Sequence, residues 1–382
     1  MCTNFKIKTK HNDMIVGRSQ EFSQLLGRSL MFRKAGHLYQ QNLFDPSGEN
    51  CKPSQWALAN CQFSWKGRYG FVAMQALDPD KIEEKYSIKV DKSVRSPVAT
   101  DGINTEGLYV GSLLQNAAKY PEVTDPSKGL AVTNLVDYIL SACKDCADVK
   151  AKLKGNGKES PAEVQVTGAT RNNEFKQHFP VHDRFGKSIV IEFIKGKVRI
   201  HDNNQYGVLT NDPDFEWHLT NLGNYANVTP VSKHNSRPGN LADIAVKNQG
   251  NGFSLVPGGQ LPAHRFVRTV MMVNYAKEAT NVGSSLTPIE HGVSLASHTL
   301  NTVDIPFGVI QEVPESKDLK PEIDFTQYIT ISDLSNRKYF VRLYDTPQLY
   351  SVDLTKLNLN ELNGKTQEVP NNPVSIDLTD TI

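Results

Sequence analysis

Val208-Leu-Thr-Asn-Asp-Pro-Asp-Phe-Glu-Trp-His-Leu-Thr-Asn-Leu-Gly-Asn-Tyr225 reads as a strand, a proline turn and a helix in immediate succession. Val208-Leu209-Thr210 is the strand. Pro213 ends it, because proline has no N–H for a ladder and restricts the residue before it. Phe215–Leu222 then reads as a helix. Asn211, at the strand end, has two readings. Its side-chain amide can present an N–H to a developing oxyanion, or it can cap the helix that follows.

An oxyanion donor needs a nucleophile, and the second residue supplies a candidate. Cys2, once Met1 is removed, carries a thiol and a free α-amine on one carbon framework. The thiolate is the nucleophile, and an amine with a pKa near 8 can hold its proton at neutral pH. Gly17-Arg-Ser-Gln-Glu-Phe22 follows the opening hairpin and returns beside Cys2. There Arg18 could stabilise a thiolate and Glu21 could hold the amine; the plainer reading is a surface Arg and Glu at a strand end. Leu255-Val-Pro-Gly-Gly-Gln-Leu-Pro-Ala-His-Arg-Phe266 puts Arg265 in the first turn of a helix. It could face an anionic substrate or the active carboxylate, or be structural.

Around these segments the chain alternates sheet-like and helical blocks. Cys2–Lys8 and Asp13–Gly17 read as strands about the turn His11-Asn12-Asp13, and Leu25–His37 shows near-alternate apolar residues. Tyr69–Leu77 and Gly107–Leu114 read as buried strands, with Asp78–Val98 an excursion. Leu130, Leu135, Val136, Ile139, Leu140 and Cys143 recur at helical spacing, and Val149 with Leu153 suggests a second short helix. Ser188–Ile194, Val198–His201 and Val208–Thr210 form a hairpin series. Arg265–Lys277 and Pro288–Thr302 read as helices, then Gln327–Ile331, Lys338–Tyr344 and Leu349–Val352 as strands. The arrangement predicts a layered α+β fold. It is read as one domain over 1–382, loosely held from about residue 365.

With 382 residues, 38% of them apolar, the chain can bury a substantial core. Its 42 basic residues balance 41 acidic ones, so no global field favours nucleic acid or an anionic surface. No apolar run approaches the roughly 18 residues that span a bilayer. The opening MCTNFKIKTKHND shows no secretory leader, which predicts cytoplasmic placement; a leader replaced by a lone Met would make it periplasmic. No dinucleotide or P-loop glycine signature follows a strand.

Read together, Met-Cys-Thr, GRSQEF, VLTNDPDFEWHLTNLGNY and PGGQLPAHRF closely resemble the choloylglycine hydrolase family, as do DGINTEGL (101–108), RFGKSIVIEF (184–193) and DFTQYITISDLSNRKYFVRLYD (324–345). This family of N-terminal-nucleophile (Ntn) hydrolases includes bile salt hydrolases and penicillin V acylases. The resemblance implies a four-layer αββα sandwich and hydrolysis of a non-peptide amide, with no metal or organic cofactor. It matches Cys2 to the nucleophile, Arg18 to the arginine beside the thiol, Asn211 to the oxyanion side chain and Arg265 to a second arginine. Glu21 stands where the family often has Asp. Leu114 falls where bile salt hydrolases usually have Asn and penicillin acylases Tyr; its backbone N–H can still meet the oxyanion. The resemblance also implies a bacterial homotetramer and a small-molecule amide as partner. Conjugated bile salt, penicillin V and N-acyl homoserine lactone stay open as substrates, beside a silent member that only binds small amphiphiles.

Other signals are set aside. Cys143-Lys-Asp-Cys146 with His178 and His182 outlines a zinc site, yet the gap between the pairs is far too long for a finger. A helix rather than a strand precedes Cys143, against a thioredoxin-like motif. Cys51 and Cys61 would pair only in an exported protein, and the Asn227-Val-Thr229 sequon likewise matters only on export. His218, His264 and His298 read as satisfied structural histidines, since the α-amine replaces an imidazole base.

Overall fold

The computed structural model describes residues 1–23, 25–43, 53–76, 98–155, 161–169, 175–232, 249–279, 288–313 and 321–371, with side chains masked at 277–279 and 288–290. Cys51 and positions 78–97 of the excursion therefore lie outside the described residues, as do 372–382 of the tail.

Two antiparallel sheets occupy the middle of the molecule. The first has the strand order β15 (Val208–Leu209), β1 (Cys2–Lys8), β2 (Met14–Phe22), β17 (Glu322–Asp333), β18 (Lys338–Leu343) and β19 (Tyr350–Asp353), with β16 (Ile310–Glu312) added to β17. The second runs β14 (Lys197–Asp202), β13 (Ser188–Ile194), β12 (Gln177–Asp183), β8 (Leu108–Gly111), β7 (Ala99–Asn104), β6 (Phe71–Gln75), β3 (Ser29–Arg33) and β20 (Thr366–Glu368); β9 (Leu113–Leu114) pairs with β12. Short pairs join β4 (Leu38–Tyr39) to β5 (Trp65–Lys66), and β10 (Gly129–Ala131) to β11 (Gln165–Thr167).

Side-chain alternation turns these sheets into layers. On β2, Ile15 faces outward while Met14 and Val16 face inward, since successive residues of a strand point to opposite faces. Ile15 joins Phe5, Ile7 and Ile331 under helices α5 (Pro262–Ala279) and α6 (Pro288–Asn301), which contribute Phe266, Val270, Ala296 and Leu300. Met14 and Val16 meet Leu30, Phe32, Val72 and Met74 of the second sheet. The far face of that sheet packs Phe71, Val110, Val181 and Ile191 against α2 (Leu135–Ala142) and α3 (Cys146–Lys154). The result is helix, sheet, sheet, helix. Three further helices, α1 (Gln55–Asn60), α4 (Phe215–Leu222) and α7 (Leu359–Leu362), lie in connections.

Several boundaries move from the sequence reading. The second strand runs on through Gly17 to Phe22, because β17 pairs along its whole length. Leu25–His37 contains only one five-residue strand of the main sheets, β3. Helix α5 begins at Pro262, ahead of Arg265. Beyond position 365, Thr366–Glu368 pairs with Ser29–Met31 as the edge strand β20.

Candidate active site

Register brings the candidates together. β1 pairs with β15 as Asn4↔Leu209 and with β2 as Asn4↔Arg18 and Cys2↔Gln20. Extending the first register past Leu209 sets Asn211 opposite Cys2. By alternation Cys2, Asn4, Arg18 and Gln20 face the space between the sheets, whereas Thr3, Ser19 and Glu21 face α5 and α6. Cys2, Arg18, Glu21, Asn211 and Arg265 are all buried. The surface reading of Arg18 and Glu21 therefore does not apply: β17 covers the strand end that would otherwise have exposed them.

Cys2 N–H donates to Asn211 Oδ1 at 2.6 Å. The same oxygen accepts Arg265 Nη2 at 2.9 Å, while Arg265 Nη1 donates to Cys2 O at 2.6 Å and to Thr3 Oγ1 at 2.5 Å. One planar guanidinium thus ties the backbone of Cys2 to the side chain of Asn211. Its fork geometry allows this where a lysine ammonium would not. Burial lowers the Arg265 pKa, and the charges of Glu21, Cys2 and Asp324 oppose that.

Asn211 also donates Nδ2 to Leu114 O at 2.8 Å. Gln115 N donates to Lys176 O, and Gln177 N donates to the Tyr120 hydroxyl rather than to Leu114. Leu114 and Gln177 are therefore a non-hydrogen-bonded pair of the β9–β12 ladder, and Leu114 turns its N–H and C=O outward, toward Asn211. That bond uses one Asn211 amide hydrogen, and the Leu114 N–H lies along the strand edge that faces Asn211. Asn211 is not the helix cap. Asp214 takes that role, accepting Trp217 N–H at 3.0 Å. Asp212 accepts Asn116 N–H at 2.8 Å and Ala117 N–H at 3.0 Å, and His218 Nε2–H donates to Asn211 O at 2.9 Å. Three successive polar positions have three separate jobs.

Arg18 crosses to the second sheet. Nη1 meets Asp101 Oδ1 at 3.0 Å, and Nη2 donates to Ser112 O at 2.7 Å and to Gln20 Oε1. Burial works most strongly against the Arg18 charge, but Asp101, Tyr328, Cys2 and Tyr109 together outweigh it and hold the pKa above its ordinary range. Asp101 also accepts Thr330 Oγ1 at 2.7 Å and Tyr339 OH at 2.9 Å. The sequence motif DGINTEGL contained this aspartate without revealing its partner, which is 83 residues away.

Glu21 sits across the strand from Arg18, on the face toward α5. Oε1 accepts Thr326 Oγ1 at 2.9 Å, and Oε2 is buried with no partner among the described residues. Burial raises its pKa; Arg265 and the N-terminal ammonium oppose the rise. The hydrogen bond of Cys2 N goes to Asn211, and the Met1 ammonium donates to Glu21 O at 2.8 Å and lies 3.7 Å from Asp324 Oδ2. A bulge at Gln327, between Thr326↔Glu21 and Tyr328↔Gln20, lets Thr326 face Glu21 while Tyr328 faces Arg18.

The zinc outline dissolves in the fold. His178 Nδ1 meets Glu192 Oε1 at 3.3 Å, His182 Nε2 donates to Asn4 Oδ1 at 2.7 Å, and Cys143 and Cys146 are buried by the helices they bound. Among the described residues no three His, Cys, Asp or Glu side chains gather in a metal-binding group. His218 donates through Nε2 and stacks on Phe266 at 4.6 Å, but its Nδ1, like His264 Nδ1, has no hydrogen-bond partner among the described residues, so neither is fully satisfied.

Comparison with known proteins places this geometry in context. The family model described as linear amide C-N hydrolases, choloylglycine hydrolase family, matches residues 2–368. A bile salt hydrolase/transferase of Clostridium perfringens is 31% identical over 375 residues, covering 94% of both chains. A penicillin V acylase of Pectobacterium atrosepticum is 27% identical over 318 residues, 81% of this chain and 72% of that one. Among solved structures, a variant of the conjugated bile acid hydrolase of Clostridium perfringens has a TM-score of 0.74 at 23% identity, covering 99% of this chain and 100% of that one. The penicillin V acylase of Agrobacterium tumefaciens gives 0.65 at 22%, covering 96% and 90%. The four-layer architecture is the fold they share.

Proposed function

Since the chain belongs to the linear amide C-N hydrolases of the choloylglycine hydrolase family, with the Ntn-hydrolase fold, we propose that Cys2 is the nucleophile of a thiol-dependent amidohydrolase. The observation that carries the reading is the link from Cys2 N through Asn211 Oδ1 to Arg265. Removal of whatever precedes Cys2 makes that nitrogen a free amine already held next to its own thiol.

The α-amine takes the thiol proton as Sγ bonds to the carbonyl carbon. The remaining Asn211 Nδ2 hydrogen and the Leu114 N–H meet the oxyanion, a donor pair of the kind worth about 10²–10³ in kcat per donor. Collapse breaks the C–N bond, and the amine passes its proton to the leaving nitrogen. Water then cleaves the thioester, with the amine again accepting a proton. Arg18, held by Asp101, supports the thiolate, and Glu21 with Arg265 sets the field around the amine.

The substrate class proposed is an N-acyl amide with an apolar acyl body, conjugated bile salt foremost, given a bile salt hydrolase/transferase related along 94% of its length. Penicillin V and N-acyl homoserine lactone follow. A second reading, a silent binder, has one observation behind it: with Met1 in place the ammonium is engaged by Glu21 O. Among the described residues no helix is long and apolar enough to cross a membrane. Cytoplasmic placement and a homotetramer remain part of the proposal, the latter checked by light scattering.

Intact mass combined with a panel of these amides tests the reading on wild type and Cys2→Ala. Loss of Met1 with turnover abolished in Cys2→Ala is the expected result. Turnover surviving in Cys2→Ala sinks the mechanism, and a retained Met1 without turnover favours the silent binder.

A further inference from the structure

We propose that Glu192 is a positioning residue that holds the two oxyanion donors, Asn211 and Leu114, at a fixed separation. The inference rests on the proposed roles of those two residues. Glu192 lies on β13, outside the catalytic set, and is buried. Its Oε1 accepts Gln115 Nε2 at 2.7 Å and the Phe215 backbone N–H at 3.0 Å. Gln115 follows Leu114 directly. Phe215 opens α4, four residues after Asn211. A single carboxylate oxygen therefore grips both donor-bearing segments from behind.

The rest of its surroundings keep that oxygen in place. His178 Nδ1 lies 3.3 Å from Oε1, and His201 Nε2 lies 3.2 Å from Oε2 without hydrogen-bond geometry. The N-terminal end of α4 adds a positive dipole toward the same group. Burial alone would raise the Glu192 pKa; the two histidines overcome it and bring it down to about 2. Asp212 makes a second connection between the same segments, through Asn116 and Ala117 N–H. Two carboxylates thus span a gap that no backbone ladder closes among the described residues, and Glu192 is the one inside the core. Preorganised donors stabilise an oxyanion only if they do not have to move to meet it, so loosening this grip costs the chemical step rather than substrate binding.

The test uses the processed enzyme, with a glycine-conjugated bile salt and penicillin V as amide probes and iodoacetamide as a thiol probe. Alkylation by iodoacetamide forms no oxyanion. Glu192→Gln is expected to lower kcat about 10- to 100-fold, with KM and the alkylation rate within twofold of wild type. Gln115→Met, which removes one arm only, is expected to give a smaller loss and guards against a folding defect in the first variant. Combined with Asn211→Ala, Glu192→Gln is expected to add nothing, because it acts through that residue. An unchanged kcat in Glu192→Gln, a parallel loss of alkylation, or fully additive effects would overturn the proposal. Full turnover in Asn211→Ala would instead remove the oxyanion reading itself. Should neither amide be turned over, crystal structures of wild type and Glu192→Gln decide: an unchanged Asn211–Leu114 separation overturns the clamp, and a widened one supports it.

Discussion

The Arg18 guanidinium and the Asp101 carboxylate meet at 3.0 Å with neither side chain exposed to solvent. They join the two sheets on the face that Arg18 shares with Cys2, so the charge that the proposed mechanism offers to a Cys2 thiolate is anchored in the opposite layer. A buried pair of this kind adds little net stability when intact, but breaking it leaves an uncompensated charge.

Asp101→Asn is therefore expected to destabilise the fold by about 3–5 kcal/mol, measured as a shift in the urea midpoint. Removing both charges, as Asp101→Asn with Arg18→Met, should cost less than the sum of the single changes. An additive double variant would show that the two groups do not depend on each other.

Arg265→Lys keeps the charge and loses the fork. Cys2 O, Thr3 Oγ1 and Asn211 Oδ1 cannot all be reached by one ammonium. With roughly 2–4 kcal/mol of charge-assisted hydrogen bonding lost, kcat/KM should fall about 30- to 1,000-fold. Steady-state kinetics that match wild type would show that the bridge is dispensable.

Asp137 is buried on α2 and accepts Ala99 N–H at 3.1 Å. Burial raises its pKa from 3.8 to about 6, against the Ala99 hydrogen bond and Arg33. The native state thus binds this proton more tightly than the unfolded chain. Its contribution is fully present below about pH 4 and lost as pH rises through 6, a change of about 3 kcal/mol by linkage. Asp137→Asn carries no such titration. Urea unfolding at pH 4, 5, 6 and 7 should show the wild type losing stability relative to the variant across that window; parallel curves would contradict the assignment. Glu192 works in the opposite sense, giving stability above 4.5 that is lost as pH falls toward 2.

Gly102 sits between Asp101 and Ile103 where β6 and β7 come close. A Cβ there would lie 2.3 Å from Val72 O and 2.7 Å from Ala73 Cβ, both in a rigid buried strand. Gly102→Ala should cost at least about 2 kcal/mol and lower the melting midpoint measurably. A variant as stable as wild type would mean that the strands part more easily than their packing indicates.

Much of the site was legible because its residues carry local signatures. The strand–proline–helix run marks Asn211, and the second position marks Cys2. What could not be read locally is which face each neighbour takes. Arg18 and Glu21 are three residues apart on a strand, an odd spacing, so they serve opposite sides of the sheet. Only the register with β17 and its bulge shows that Thr326 then meets Glu21. The Asp101 partnership and the Glu192 grip depend on residues far away in sequence, which no spacing rule reveals. Asn211 reads as a cap for the helix that follows; the fold instead assigns that cap to Asp214. Thr366-Gln-Glu368 has no apolar alternation and pairs with β3 only because that edge is open.

The β2–β17 pairing matches Arg18 with Thr330 and Ile15 with Asp333, positions more than 300 residues apart. At ribosomal rates of roughly 5–20 residues per second, β2 waits about 15–60 s for its partner to be made. The sheet that carries Cys2 is thus begun first and completed only near the end of the chain, and its high contact order makes the closing step slow. During that interval Met1 has not yet gained its contact with Asp324. On the proposed mechanism, the time in which Cys2 can be uncovered before this contact forms is set by the length of the polypeptide.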